Sequence, residues 1–475
     1  MLLHRLYDDG LAQASYLLAC ERSREAIVID PNRDPGQYTR LAASLGLKIT
    51  HVTETHVHAD FVSGALELAA KTGATLHVSG ADPEHGYAYE PGHGARALAD
   101  GDVIELGRIR IEAVHTPGHT PEHMSFVVAD TAVSEVPLGA FTGDFIFVGD
   151  VGRPDLLERA VGVAGSSGEA AAQLFHSLRA FAQRPDFLQI WPGHGAGSAC
   201  GKSLSATPQS TLGYERLGNW ALQIEDEAEF VRRVLEDQTE PPAYFAEMKR
   251  VNRKGPRRLD TVRAPAQVTA PDLGAALQAG CVIVDTRPAA VFAREHIAGS
   301  LNVPLGKSFT TWAGSVVPYD APLYVLTDIA PPDLAGAALR QMSLIGLDEI
   351  RGWTTWEALA DWNDPNFPLI ATPQMSVEEL MQSAASAQVL DVRNAVEWRD
   401  GHLDGATHIP LADLRRRMSE LDPARPVVVH CQGGGRSAVA ASLLQSGGMT
   451  SVTNLTGGYA AWRKAGFPVE VDAGR

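Results

Sequence analysis

The chain has 475 residues, 45% of them hydrophobic and 20% charged, enough for roughly three globular domains of ordinary size. A formal net charge of −17 argues against nucleic acid or an anionic membrane as a partner, and no segment approaches the roughly 20 apolar residues of a membrane span. Four scattered cysteines, Cys20, Cys200, Cys281 and Cys431, do not make a disulfide framework. The start from Met1 to Asp9 lacks the basic and apolar regions of a signal peptide, so the expectation is a cytoplasmic protein with reduced thiols.

Short apolar runs such as Ala26-Ile27-Val28-Ile29-Asp30 and Ile109 to Val114 read as strands. Next comes Thr55-His56-Val57-His58-Ala59-Asp60-Phe61, two imidazoles and a carboxylate in close succession. Helical periodicity from about Phe61 to Thr72 places Asp60 near a helix N-terminus, where negative charge is favoured. His119 lies on a Pro-Gly turn, Thr116-Pro117-Gly118-His119-Thr120. Asp144 ends the run Phe141-Thr142-Gly143-Asp144, and His194 sits on a second Pro-Gly turn, Trp191-Pro192-Gly193-His194-Gly195. His115 and His123 flank His119 at helical spacing, but Pro117, Gly118 and Pro121 break any helix that would align them, so both are read as structural. The basic stretch from Lys249 to Arg263, with Gly255-Pro256, reads as a solvated linker leaving the first domain.

Four separated motifs of metal-ligating type in this order form a strong signal. They resemble the H-x-H-x-D-H pattern of the metallo-β-lactamase superfamily, with Phe61 in place of the last histidine. In that pattern the first two histidines serve one metal, while the aspartate and last histidine help to build a second. Phe61 offers no lone pair, so a single metal is expected. Over about residues 1 to 260 the chain resembles the persulfide dioxygenase branch of the superfamily, which implies an αββα sandwich. Two imidazoles and one carboxylate on one face of a metal suit non-haem Fe(II), which must hold substrate and dioxygen together; zinc cannot pass electrons to oxygen. This reading assigns His56, His119 and Asp144 as ligands of one Fe(II) per chain. His58, Asp60 and His194 then orient those ligands or handle protons.

Gly152-Arg153-Pro154-Asp155 is similar to a Gly-Arg-x-Asp segment of that branch, whose arginine lies by the pocket for the thiol carrier's polar end. Arg153 is therefore a substrate-anchor candidate through guanidinium–carboxylate pairing; the alternative is a surface salt bridge to Asp155. After His194 the chain reads Gly195 to Lys202 with no aromatic hydroxyl beside the histidine, a departure from glutathione-specific members that looks like the bacterial fusion form. Cys200 in this segment is either a thiol that accepts or relays sulfur beside the metal, or a structural cysteine packed as a small hydrophobe.

The remaining residues contain an internal repeat. Val282 to Arg287, Glu295 to Ser300 and Asn302 to Leu305 return as Val389 to Arg393, Gly401 to Ala406 and His408 to Leu411. Both copies resemble rhodanese domains, down to the closing Gly352 to Trp356 and Gly457 to Trp462. In the second copy, Val427-Val428-Val429-His430-Cys431-Gln432-Gly433-Gly434-Gly435-Arg436-Ser437 is a buried strand, a cysteine, a glycine-rich loop and a helix start. Backbone N–H groups of Gln432, Gly433, Gly434 and Gly435 and the helix N-terminus would stabilise a thiolate, a persulfide or sulfite at Cys431, with Arg436 closing the anion cradle. In the first copy Asp328 stands at the nucleophile position and Pro331 and Pro332 replace glycines. A carboxylate cannot carry sulfane sulfur, and proline removes N–H donors. Cys281, just ahead of a core strand, is read as structural.

The expectation is an α/β chain in three parts: a metallo-β-lactamase-like domain over 1–262, an inactive rhodanese-like domain over 263–371 and an active one over 372–475. The resemblance implies a dioxygenase that oxidises a low-molecular-weight persulfide of glutathione, coenzyme A or another thiol to sulfite with O2. Sulfur transfer through Cys431 would interconvert sulfite and thiosulfate, with Cys431, Arg436 and Cys200 as catalytic candidates. A homo-oligomer is expected, with the inactive repeat free for packing. The alternatives are a glyoxalase II-like thioester hydrolase and a sulfur-trafficking scaffold without oxidation chemistry.

Overall fold

The computed structural model describes the chain apart from residues 90–93, 157, 159–164, 263, 329–333, 384–386 and 472–475. It divides into two compact units, Met1–Val262 and Arg263–Arg475. Among the described residues no helix is long and apolar enough to cross a membrane.

The first unit has two six-stranded sheets. One runs in chain order through β1 (Leu2–Asp8), β2 (Gln13–Ala19), β3 (Glu25–Ile29), β4 (Lys48–Thr53), β5 (Thr75–Ser79) and β6 (Arg96–Leu98). The other holds β7 (Val103–Leu106), β8 (Ile109–His115), β9 (Met124–Asp130), β10 (Gly139–Gly143), β11 (Gln189–Pro192) and β12 (Ser210–Thr211). Successive side chains of a strand face opposite ways, and in β2 both faces find apolar cover. Tyr16 and Leu18 pack between the sheets with Ile111, Phe126, Phe141 and Trp191. Leu17 and Ala19 turn outward against Tyr38 and Ala42 of helix Pro35–Ser44 and Leu68 of helix Ala65–Thr72. The far face of the second sheet, Val127, Ala140 and Ile190, is covered by Leu174 and Leu178 of helix Ser166–Phe181 and by Phe230 of helix Glu227–Leu235. The result is an αββα sandwich, and burial on both faces explains the near-continuous apolar runs.

Strand direction sets where the site can form. β9 lies antiparallel to both β8 and β10, while β10 and β11 are parallel, so the C-terminal ends of β8, β10 and β11 share one edge. The loops carrying His119, Asp144 and His194 leave from that edge. Two local expectations are corrected. The helix after the His56 motif begins at Ala65, leaving Asp60 and Phe61 in the preceding loop. The Ala65 N–H, which an earlier turn would give to the Phe61 carbonyl, donates instead to the Ser63 hydroxyl at 3.0 Å, and the Asn252 amide donates to the Phe61 carbonyl at 2.7 Å. The stretch from Lys249 is not all connector: Phe245–Lys254 is a helix with Lys249 and Asn252 buried.

The second unit holds both copies of the repeat. Strands Ala266–Gln267, Ile350–Thr355, Leu323–Thr327, Val282–Asp285 and Leu301–Asn302 form one parallel sheet in that spatial order. Gln374–Met375, Val452–Leu455, Val427–His430, Gln388–Asp391 and Thr407–His408 form a second with the same order and direction. The likeness extends to buried chemistry. Arg287 bonds Asp285 at 2.7 Å and lies 3.6 Å over the Trp356 ring, as Arg393 bonds Asp391 at 2.7 Å and lies 3.9 Å over Tyr459. The copies meet where the Ser442 hydroxyl accepts from the Asn302 N–H at 2.9 Å and Arg415 donates to the Val316 carbonyl at 3.0 Å.

Candidate functional site

The loop after β4 is held in place before any metal is considered. The Asp30 carboxylate, at the end of β3, accepts from the Thr55 N–H at 2.6 Å and the Thr55 hydroxyl at 2.9 Å. Glu122 accepts from the Val57 N–H at 2.8 Å, and the Asn252 amide donates to the His58 carbonyl at 2.8 Å. Against this frame, single ligand atoms of His56, His119 and Asp144 lie within 4.8 Å of one another, all buried. Asp144 Oδ2 stands 3.5 Å from His119 Nε2 and 3.9 Å from His56 Nε2.

The imidazoles are aimed by their other nitrogens. His119 Nδ1 donates to the Arg153 carbonyl at 2.8 Å, and His194 Nδ1 to the Ala12 carbonyl at 3.0 Å. His56 Nδ1 lies 3.0 Å from the Thr55 hydroxyl. For His56 and His119 this leaves Nε2 with its lone pair turned toward Asp144; at His194 burial opposes the charge, but the Asp144 and Asp60 carboxylates outweigh it and raise the imidazole above its ordinary range. Burial, with the neighbouring His58 charge, holds His56 well below the ordinary histidine range. Burial and then the Lys249 charge bring His119 down to about 3. Both rings are therefore neutral and able to bind a metal at neutral pH. Burial pushes Asp144 up to about 6, and neither of its buried oxygens, nor either of Asp60, has a hydrogen-bond partner. Buried carboxylate oxygens without partners call for a cation, so the donor set fits a metal ion.

The flanking residues divide. His58 turns to Asp30, 3.2 Å away; burial opposes its charge, but Asp30, Glu54 and Asp60 outweigh this and raise it to about 9. His194 Nε2 faces Asp60 Oδ2 at 3.3 Å and Asp144 Oδ1 at 3.5 Å. Phe61 is buried with its ring 4.4 Å from that of His58. Cys200 is buried, and its ligand atom falls within 4.8 Å of those of Asp60 and His194. Burial and the two carboxylates push its thiol well above the ordinary range, which disfavours a free thiolate there.

The expectation for Arg153 needs correction. Its guanidinium is buried and bidentate to Asp155, at 2.7 and 2.8 Å, and also donates to the Thr239 and Ala199 carbonyls. With those bonds made it has no free fork for a substrate carboxylate. Nor is the pair a surface salt bridge: it is a buried strut whose backbone carbonyl aims His119.

In the second unit, Cys431 follows strand Val427–His430 and precedes helix Gly435–Ser446. The thiol is buried and accepts from the Gly434 N–H at 3.1 Å, in a turn that Gly434 enters at φ 106°. Gly458 closes from the other side: a Cβ there would lie 2.2 Å from the Cys431 carbonyl. Gln432 and Gly433 are exposed. Arg436 is not free to close a cradle, since it binds Glu397 bidentately at 2.6 and 2.7 Å. In the first copy Asp328 is exposed at the end of strand Leu323–Thr327; Pro331 and Pro332 lie outside the described residues. Half-buried Cys281 directly precedes strand Val282–Asp285.

Sequence reasoning missed several residues that do the positioning. Asp30 carried a usable signal, a carboxylate ending an apolar run like that before Asp144. Glu122 and Asn252 carried none. His123, read as structural, stacks on His56 at 5.2 Å and accepts from the Asp144 N–H at 3.3 Å.

Residues 8–194 match the metallo-beta-lactamase superfamily model, and residues 269–356 and 376–465 each match the rhodanese-like domain model. A probable metallo-hydrolase of Burkholderia pseudomallei is 31% identical over 222 residues, 41% of this chain and 72% of that protein. The mitochondrial persulfide dioxygenase ETHE1 of Homo sapiens is 30% identical over 201 residues, 41% of this chain and 68% of that protein. A crystal structure of a metallo-beta-lactamase from Staphylococcus aureus is 42% identical with a TM-score of 0.68, covering 74% of this chain and 99% of that one.

Proposed function

Because this chain belongs to the metallo-β-lactamase superfamily and carries two rhodanese-like domains behind that fold, we propose that it is a persulfide dioxygenase joined to a sulfurtransferase. The similarity to persulfide dioxygenases together with the rhodanese-like domains supports a role in sulfur metabolism. The observation that supports the finer reading is the convergence of two neutral imidazoles and the Asp144 carboxylate, whose buried oxygens find no hydrogen-bond donor of ordinary geometry, in one buried group. Three donors of this kind leave coordination positions open, which suits Fe(II).

The proposed domain limits are 1–262, 263–371 and 372–475, and the ligands of one Fe(II) are His56, His119 and Asp144. When bound, that iron would supply electron transfer between a persulfide sulfur and dioxygen. The net reaction is R–S–SH + O2 + H2O giving R–SH + sulfite + 2 H+. The chain's own part is positional: the Arg153 carbonyl and Thr55 hydroxyl fix the imidazole tautomers, and His58 keeps a buried positive charge beside Asp30 and Glu54. In the second unit the Cys431 thiolate would carry a sulfane sulfur. Attack by sulfite on the outer sulfur breaks the S–S bond, releases thiosulfate and returns the thiolate. The Gly434 N–H offers the hydrogen bond that favours the anionic sulfur. The small-molecule partners are thus a low-molecular-weight persulfide, O2 and sulfite or thiosulfate, and the protein would act as a homo-oligomer.

Metal analysis tests this reading. Anaerobically purified protein is expected to hold about one Fe(II) per chain, and His119→Ala should lose both the iron and persulfide-dependent oxygen uptake. Full activity with zinc alone would sink it.

A further inference from the structure

Helix Phe245–Lys254 turns Phe245, Met248, Lys249 and Asn252 inward. Asn252 seats that face on the His56 loop: its amide donates to the His58 and Phe61 carbonyls, and its side-chain oxygen accepts from the Ser63 N–H at 2.9 Å. Lys249 stands three residues earlier, the spacing that puts both side chains on one face, and is 4% exposed. Among the described residues its ammonium makes no hydrogen bond or ion pair. Glu122 and Asp82 act on it only through space. Glu122 gives one oxygen to the Val57 N–H while the other has no partner, and Asp82 faces His85 at 3.1 Å. The Lys249 charge acts on His119 more strongly than that of His194 or Arg153, and it also reaches His56, so the ammonium lies near those two imidazoles.

A buried ammonium without a partner is costly, and lysine is almost never buried unless paired. Burial accordingly pulls Lys249 below the ordinary lysine range. Arg153, the other cation beside these loops, is committed to Asp155. We propose that Lys249 anchors the anionic end of the thiol carrier, pairing with a carboxylate or phosphate of the group R while the outer sulfur of R–S–SH reaches the His56, His119 and Asp144 group. The assignment rests on the persulfide reading above and makes Lys249 the residue that selects acidic carriers over uncharged ones. An ammonium is a compact point charge with rotatable donors, unlike the planar fork of arginine, so it accepts either kind of anion.

The test is calorimetric binding, under argon, of unreactive thioethers to the full-length chain as purified. S-methylglutathione is compared with its dimethyl ester, and S-methyl coenzyme A with S-methylpantetheine, so that each acid has a counterpart lacking the anion. Wild type should bind at least one acid more tightly than its counterpart by over about 10-fold, the least that a hydrogen bond to a charged group contributes. Lys249→Met should bring that acid down to its counterpart and leave the counterpart unchanged, whereas Lys249→Arg should keep most of the preference. Loss confined to S-methylglutathione identifies a carboxylate, and loss confined to S-methyl coenzyme A a phosphate. Lys249→Met should also leave the calorimetric Tm no lower than wild type, because the charge removed had no partner; a lysine held for Glu122 would strand that carboxylate and lower Tm. Wild type that binds both acids no better than their counterparts overturns the proposal, as does Lys249→Met that keeps the preference or lowers Tm. The thioethers carry no persulfide sulfur, so wild type that takes up no oxygen with a persulfide would fail the dioxygenase reading alone.

Discussion

Arg153 shows how one side chain can be mistaken for a ligand contact. An arginine near a metal loop invites pairing with a substrate carboxylate, yet here the carboxylate is its own neighbour Asp155. Breaking a buried pair from one side strands the other charge, which costs about 3–5 kcal/mol. Arg153→Ala is therefore expected to lower unfolding stability by that amount in denaturant melts and to loosen His119. A substrate anchor would instead raise KM and leave stability alone, so the pair of measurements distinguishes the roles. Cys200 and Cys431 make a similar contrast. Both are buried thiols, but Cys431 accepts a backbone N–H while Cys200 faces carboxylates that favour its protonated form.

At the scale of elements, close approach of turns sets the site. A Cβ on Gly152 would lie 1.9 Å from the Asp144 carbonyl and 3.0 Å from His119 Nδ1. Backbone cannot give way by that much without moving both candidate ligands. Gly152→Ala should thus reduce bound iron at least as severely as loss of an orienting partner, roughly 10–100-fold in affinity, while the rhodanese reaction survives. The mirror test is Gly458→Ala, which would press on the Cys431 carbonyl at a position with φ 54°. It should abolish thiosulfate formation and leave iron content intact; metal analysis and anion chromatography on both variants check the pair.

At the scale of the whole molecule, acid sensitivity should appear in both units. Burial, then His51 and Arg96, brings His77 of the first unit down to about 4, and burial brings His296 of the second down to about 4. Folded values below the unfolded value of about 6.5 mean that the unfolded chain takes up protons first as pH falls. Their stability contribution is whole above about pH 6.5 and is lost as pH drops toward 4. Calorimetric Tm of the metal-free chain should fall across that window, and His77→Gln should flatten the fall for the first unit. An unchanged profile in the variant would remove His77 from the account. Division of labour is the other property at this scale. Cys431 and the His56 group belong to separate compact units, so Cys431→Ser should leave iron content and persulfide-dependent oxygen uptake largely intact. Its product should shift from thiosulfate to sulfite, because a serine hydroxyl cannot hold sulfane sulfur. Thiosulfate made at the wild-type rate would exclude Cys431.

Much of this was legible along the chain. Short apolar runs mark the strands of the sandwich, the four His and Asp motifs stand in the order in which the loops meet at the site, and the repeat betrays itself by Asp285-Thr286-Arg287 and Asp391-Val392-Arg393. Asp328 against Cys431 separates the two copies without coordinates. These features are local, written into a few consecutive residues by steric and chemical rules. Tertiary structure decided the rest: that Arg153 serves Asp155 and His119, that Asn252 reaches back 194 residues to the His58 carbonyl, that Arg436 belongs to Glu397, and that Cys200 comes beside Asp60 and His194. The physical reason is that a side chain's partner in a packed interior is chosen by three-dimensional proximity and by the need to satisfy every buried polar atom. Neither is set by neighbours in the chain.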